Sequence, residues 1–212
     1  MKKAVIMSLA GILIRQILQA QGTVYLSNLG QPSAGGQAVG SDSWLAAAFQ
    51  TGTNASGYLL NSVQLALADA SGNPSSFTAM IYANASPAGY SPGGGLGTLN
   101  GTPDPSTAGT YIYTPASSLT LLQSSVYFIV LTSGTTVVNG AYEWNYASTR
   151  AYNLSGGWFG LGNIYTSVNG SSWSPIAGNP EFAITAEAIP EPGVLGLLGL
   201  GGLFFLRYRP RF

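Results

Sequence analysis

Cysteine and histidine are both missing from this 212-residue chain, and charge is scarce: Asp, Glu, Lys and Arg make up 7% of it, where soluble domains carry about 25%. Without cysteine there is no disulfide, no thiolate nucleophile and no Cys-type zinc site, so stability has to come from an apolar core. Without histidine the usual general base and imidazole metal ligand are gone too. Ser-His-Asp and Cys-His machinery is thereby excluded. Only a pair of carboxylates could run acid-base chemistry, as in glycoside hydrolases. The acids between the two ends, Asp42, Asp69, Asp104, Glu143, Glu181 and Glu187, stand in no recognisable motif, so no catalytic residue is assigned and the chain is not read as an enzyme. Continuous helical periodicity is lacking as well.

What is present is small and polar or aromatic, with 29 glycines and 12 tyrosines. Ser, Thr and Asn must supply the solvent-facing surface and Gly the turns, a balance that suits an all-β extracellular domain. The formal net charge of zero conceals an asymmetry. Lys2, Lys3 and Arg15 lie near the start and Arg207, Arg209 and Arg211 near the end, so residues 21–189 hold only Arg150 against six acids, a net −5. An acidic domain cannot release counterions from phosphates, and no nucleic-acid partner is expected.

Short runs of alternating or continuous apolar residues, separated by Gly, Pro, Asn and Ser, predict strands. They are Trp44–Gln50, Tyr58–Ala68, Phe77–Ala83, Tyr111–Thr114, Val126–Thr132, Ala141–Ala147, Ile164–Ser167 and Phe182–Ala188. Val126 to Leu131 is apolar throughout and is expected to be central and covered on both faces. Asn139-Gly140 and Asn169-Gly170 predict hairpin turns and Ser71-Gly72-Asn73-Pro74 another turn, while Ser86–Gly109, rich in Gly and Pro, is expected to be loop. This spacing predicts an antiparallel β-sandwich, jelly-roll-like.

The two ends carry their own signals. Met1-Lys2-Lys3 followed by the apolar run Ala4–Ile14 has the form of a secretory signal helix, assigned to residues 1–20. Residues 21–188 then form the extracellular domain and 189–212 a tail. That tail reads Pro190-Glu191-Pro192, an apolar stretch Gly193–Leu206, and Arg207, Arg209 and Arg211. The prolines end the preceding strand. A helix of 14 residues would reach about 21 Å, short of a hydrocarbon core of about 30 Å, which points to transient inner-membrane insertion. The arginines would stay cytoplasmic as the charge stop. These three elements in order resemble the PEP-CTERM sorting signal. The resemblance implies an exosortase-type processing enzyme as partner, Pro190, Glu191 and Pro192 as its recognition motif, and delivery to the surface or extracellular matrix of a Gram-negative-type bacterium.

The central segments also resemble the choice-of-anchor R domain family across roughly residues 25–188. The segments that carry this are Ser41–Phe49, Leu60–Leu65, Ser76–Tyr82, Gly97–Leu99, Tyr111–Pro115, Leu119–Leu121 and Tyr127–Leu131. The resemblance implies an extracellular domain paired with an anchoring tail, and no catalytic residues. Association with exopolysaccharide is implied by the tail. A carbohydrate-binding module with exposed aromatic rings on Trp158 and Trp173 is the alternative, since both lie in Gly/Ser-rich stretches; a carboxylate-dependent glycosidase is a further one. Asp42, Asp69 or Asp104 could take part in a calcium site, but no Asp-x-Asp spacing occurs, and turn-capping aspartates are favoured. No cofactor is assigned.

Overall fold

A computed structural model describes residues 22–86 and 89–191. The signal segment 1–20, Pro192, the apolar stretch 193–206 with its expected helix, and Arg207, Arg209 and Arg211 lie outside the described residues. In chain order the strands are β1 (Thr23–Ser27), β2 (Ser33–Val39), β3 (Trp44–Gln50), β4 (Tyr58–Gly72), β5 (Thr78–Ser86), β6 (Gly89–Asn100), β7 (Gly109–Pro115), β8 (Thr120–Leu121), β9 (Val126–Thr132), β10 (Gly140–Ala147), β11 (Asn153–Leu154), β12 (Phe159–Ser167), β13 (Ser174–Ile176) and β14 (Phe182–Ala188). Among the described residues the only helix is a single 3-10 turn at Val137–Asn139. None of them forms a helix long and apolar enough to cross a membrane.

Every strand pairing is antiparallel, and the strands fall into two layers. Sheet I runs β11-β1-β14-β4-β7, with β10 bridging β4 to β2 and β8 alongside β4. Sheet II runs β6-β5-β9-β3-β12-β13. They join at one seam, where Leu99 and Asn100 of β6 pair with Pro115 and Thr114 of β7. The result is an open sandwich, not a closed barrel.

The core follows from period-two alternation. Val63, Leu65 and Leu67 of β4, Phe182 and Ile184 of β14, and Tyr142 and Trp144 of β10 meet Leu45, Ala47 and Phe49 of β3, Ile129 and Leu131 of β9, and Ala79 and Ile81 of β5 in one buried cluster. At one end Trp158 lies stacked between Tyr25 of sheet I (5.0 Å) and Phe49 of sheet II (5.9 Å), with Tyr58 edge-on at 5.0 Å. β9 is central in sheet II, between β5 and β3, and is buried on both faces.

Two expectations are corrected. Ser86–Gly109 is not loop: β6 occupies Gly89–Asn100 and pairs along β5 from Ala79 to Ser86 through three register shifts. Asn139-Gly140 does not turn a hairpin either, because β9 and β10 belong to different sheets and the chain crosses between them there. Asn169-Gly170 does turn the β12–β13 hairpin.

Candidate functional site: the outer face of sheet II and the docked tail

Ladder register assembles the outer face of sheet II in rows. Tyr165 of β12, Ala46 of β3, Val130 of β9, Met80 of β5 and Thr98 of β6 are successive cross-strand partners. The next row runs Ala48, Phe128, Tyr82 and Gly95, and the row beyond it Phe159, Gln50 and Val126. Cross-strand partners hold their Cβ atoms about 5 Å apart, so large side chains shade small ones. Ala46, Ala48, Phe128, Val130 and Tyr165 form a second buried cluster, with Trp44, Met80, Tyr82, Val126, Leu161 and Trp173 partly buried around it. The Phe128 and Tyr165 rings meet edge to face at 5.5 Å. None of the six strands of sheet II contains a charged residue, whereas sheet I carries Asp69, Glu143 and Glu187.

The third row opens to solvent. Phe159 is 54% exposed beside Gln50, whose side chain makes no hydrogen bond to the described residues. Gln50, Val126, Tyr90, Leu122 and Ser125 line an open hollow of about 520 Å³, in which Tyr90 is 45% exposed. Asn84 also borders it, but its side chain is spent on the β5–β6 turn: Nδ2 donates to the Ser86 and Gly89 carbonyls, and Oδ1 accepts from the Ser91 N–H. A second hollow of about 370 Å³ includes Tyr146, Arg150 and Asn179 in its wall. Neither hollow is lined by a carboxylate.

Of the two tryptophans expected to offer ring faces, Trp158 is corrected. It is wholly buried, its faces covered by Tyr25 and Phe49 and its indole N–H left unpaired in the core. Trp173 is partly exposed against the sheet II outer cluster, but its indole N–H is also buried without a partner. The exposed rings of Phe159 and Tyr90 were not read from the sequence as a pair, because each comes near Gln50 only in the folded chain, Phe159 through the β3–β12 ladder and Tyr90 through the hollow it shares with Gln50.

The aspartates cap backbone. Asp42 accepts from the Val137 N–H at 2.9 Å and Asp69 from the Ala108 N–H at 2.8 Å. Asp104 accepts from the Ser76 N–H at 3.0 Å and from the Tyr142 hydroxyl at 2.6 Å. The burial of Tyr142 raises its hydroxyl pKa, and Asp104 adds to the rise. Glu143 lies over Gly36, and burial raises its carboxyl pKa. Glu181 is buried with Oε1 unpaired, and burial raises its pKa too. Among the described residues no three acids gather where a metal ion would sit.

The tail leaves sheet I from β14, which lies between β1 and β4. After β14 ends at Ala188, the Ile189 N–H donates to the Gly57 carbonyl at 3.0 Å, and Asn54 Nδ2 donates to the Ile189 carbonyl at 3.0 Å. Pro190 and Glu191 follow on the surface. Residues 188–211 match the family described as the PEP-CTERM protein-sorting motif. A C-terminal sorting signal is thus present, and it begins on the last residue of the last strand. Neither the curated proteins nor the solved structures give a match.

Proposed function

We propose that this is an exported, non-catalytic β-sandwich protein that an exosortase-type enzyme processes at the tail, for delivery to the cell surface or exopolysaccharide matrix of a Gram-negative-type bacterium. Its domain, on this reading, is a jelly-roll-like member of the choice-of-anchor R group, and the tail enters the inner membrane only transiently. The observation that carries the proposal is the sorting motif at residues 188–211. The low charge and the Ser/Thr/Asn-rich composition of the domain support an extracellular setting. The test is the intact mass of the protein from its native host, with fractionation into cells, matrix and medium. Loss of both ends, with the cut near Pro190–Pro192, is expected. An intact C-terminus in the inner membrane would overturn the proposal.

The alternative of a carbohydrate contact gains one specific support, the row of Phe159, Gln50 and Val126 beside Tyr90. Two half-exposed rings flanking an unused amide offer stacking faces and a hydrogen-bonding group in a charge-free setting, which suits an uncharged glycan. A Phe159→Ala, Tyr90→Ala double variant should elute early from immobilised native exopolysaccharide. Retention equal to the parent protein would remove this contact from consideration.

A further inference from the structure

The Asn54–Gly57 turn is built to hold something, and what it holds is the start of the sorting motif. Gly57 closes the turn, its N–H donating to the Asn54 carbonyl at 2.9 Å. Its φ of +79° and the Leu121 carbonyl, only 2.5 Å from where a Cβ would sit, leave room for glycine alone. The Asn54 N–H donates to the hydroxyl of Tyr58 at 3.1 Å, and Tyr58 is buried edge-on against Trp158. The turn is therefore tied to the aromatic end of the core.

Three contacts run from this turn to the tail. Gly57 accepts the Ile189 N–H, Asn54 Nδ2 donates to the Ile189 carbonyl, and the Ala55 N–H points to Glu191 Oε1 at 3.4 Å. The same Asn54 Nδ2 also donates to the Gly57 carbonyl at 2.5 Å, so a single amide joins turn and tail. Ile189 is half-buried, and only this residue separates the last strand from Pro190. A processing enzyme has to reach Pro190–Pro192, yet no linker keeps the folded domain away from that motif.

Resting on the sorting reading above, we propose that the Asn54–Gly57 turn is a latch that docks the entry of the sorting motif on the folded domain, so that release of Ile189–Glu191 limits the rate of tail processing. The latch also ties motif placement to folding, since its anchor is Tyr58 in the core.

The test is pulse-chase processing of the full-length chain in its native host, comparing the parent with Asn54→Ala and with a six-residue Gly/Ser insertion between Ala188 and Ile189. The insertion leaves the turn intact and frees the motif, so a folding defect in Asn54→Ala cannot explain both. Asn54→Ala should lose its tail about fivefold faster, the ratio expected from one net hydrogen bond lost, and the insertion, which releases all three contacts, at least as much faster. The Ile189 amide of the unprocessed parent should exchange hydrogen more slowly than in either variant. Equal or slower processing of both variants, with the parent processed normally, would overturn the latch and leave the sorting reading standing. Absence of processing in all three would overturn the sorting reading and the latch with it.

Discussion

The outer faces of the two sheets solve the same problem in opposite ways. On sheet I the outward residues of β4 and β7 include Ser62, Gln64 and Thr110; the small Ala66 is buried among them, but the large apolar Ile112 is 57% exposed beside Gln64. On sheet II the outward residues at the middle of β3 and β9, Ala46, Ala48, Phe128 and Val130, are all buried, and only Trp44, Gln50 and Val126 at the strand ends are partly exposed. No third layer of described residues lies over them. The cover comes from the same sheet and its β12–β13 turn, where Tyr165, Met80, Tyr82, Trp44 and Trp173 pack in one cluster with Ala46, Ala48, Phe128 and Val130. A continuous apolar run therefore does not require a second sheet or a helix on its far side. Large neighbours one strand away can bury it.

The inner faces are the common ground of this comparison, and the largest effect is expected there. Trp158 touches both sheets through Tyr25 and Phe49, so Trp158→Ala should cost about 3–5 kcal/mol. Denaturant unfolding would measure it, and a loss below about 1 kcal/mol would mean that the sheets are not joined through this ring. A sharper test sets Val130→Lys on sheet II against Ile112→Lys on sheet I. Val130 has no exposed surface, so an ammonium there is desolvated and unpaired, at a cost of about 3 kcal/mol or more. At the exposed Ile112 the same residue should change stability by less than about 0.5 kcal/mol. Equal midpoint shifts would break the distinction between a self-covered face and a solvated one.

How much of this could be read from residues alone depended on whether side chains or the backbone carry the element. The run from Val126 to Leu131 is buried on both faces because its apolar residues are continuous, and in β4 the buried Val63 and Leu65 flank a half-buried Gln64, as in a strand with one solvated face. β2 and β6 escaped notice because Ser33–Val39 and Gly89–Asn100 hold glycines where strand formers are expected. In β6 one of those glycines has a packing reason: a Cβ at Gly93 would come within 2.9 Å of Ala85 Cα on the paired strand. β6 is held by its ladder to β5, which no period-two pattern announces. Trp158 follows the Gly156-Gly157 turn, which looked like a surface loop, yet the ring turns inward between the sheets. The charge-free outer face and the docked tail were invisible for a single reason: each depends on which distant segments become neighbours.

The smallest effect separates the sheets by charge. Sheet I alone holds strand carboxylates, and Glu181, at its entry to β14, is 4% exposed with Oε1 unpaired. Burial raises its pKa, so the folded state holds this proton more tightly than the unfolded chain, in which a glutamate titrates near about 4.3. Stability from this group is therefore fully present below about pH 4 and falls as pH rises through the raised folded value. At neutral pH the buried carboxylate is a cost. Glu181→Gln should raise the melting temperature at pH 7 by a few degrees, corresponding to about 1 kcal/mol, and leave it nearly unchanged near pH 3.5. Glu143, raised by burial in the same direction, should retain a weaker dependence of the same sign in that variant. If Glu181→Gln instead lowered stability at pH 7 and not near pH 3.5, the ionised carboxylate would have a partner in solution, and sheet I would owe part of its stability to an acid that here stands unpaired.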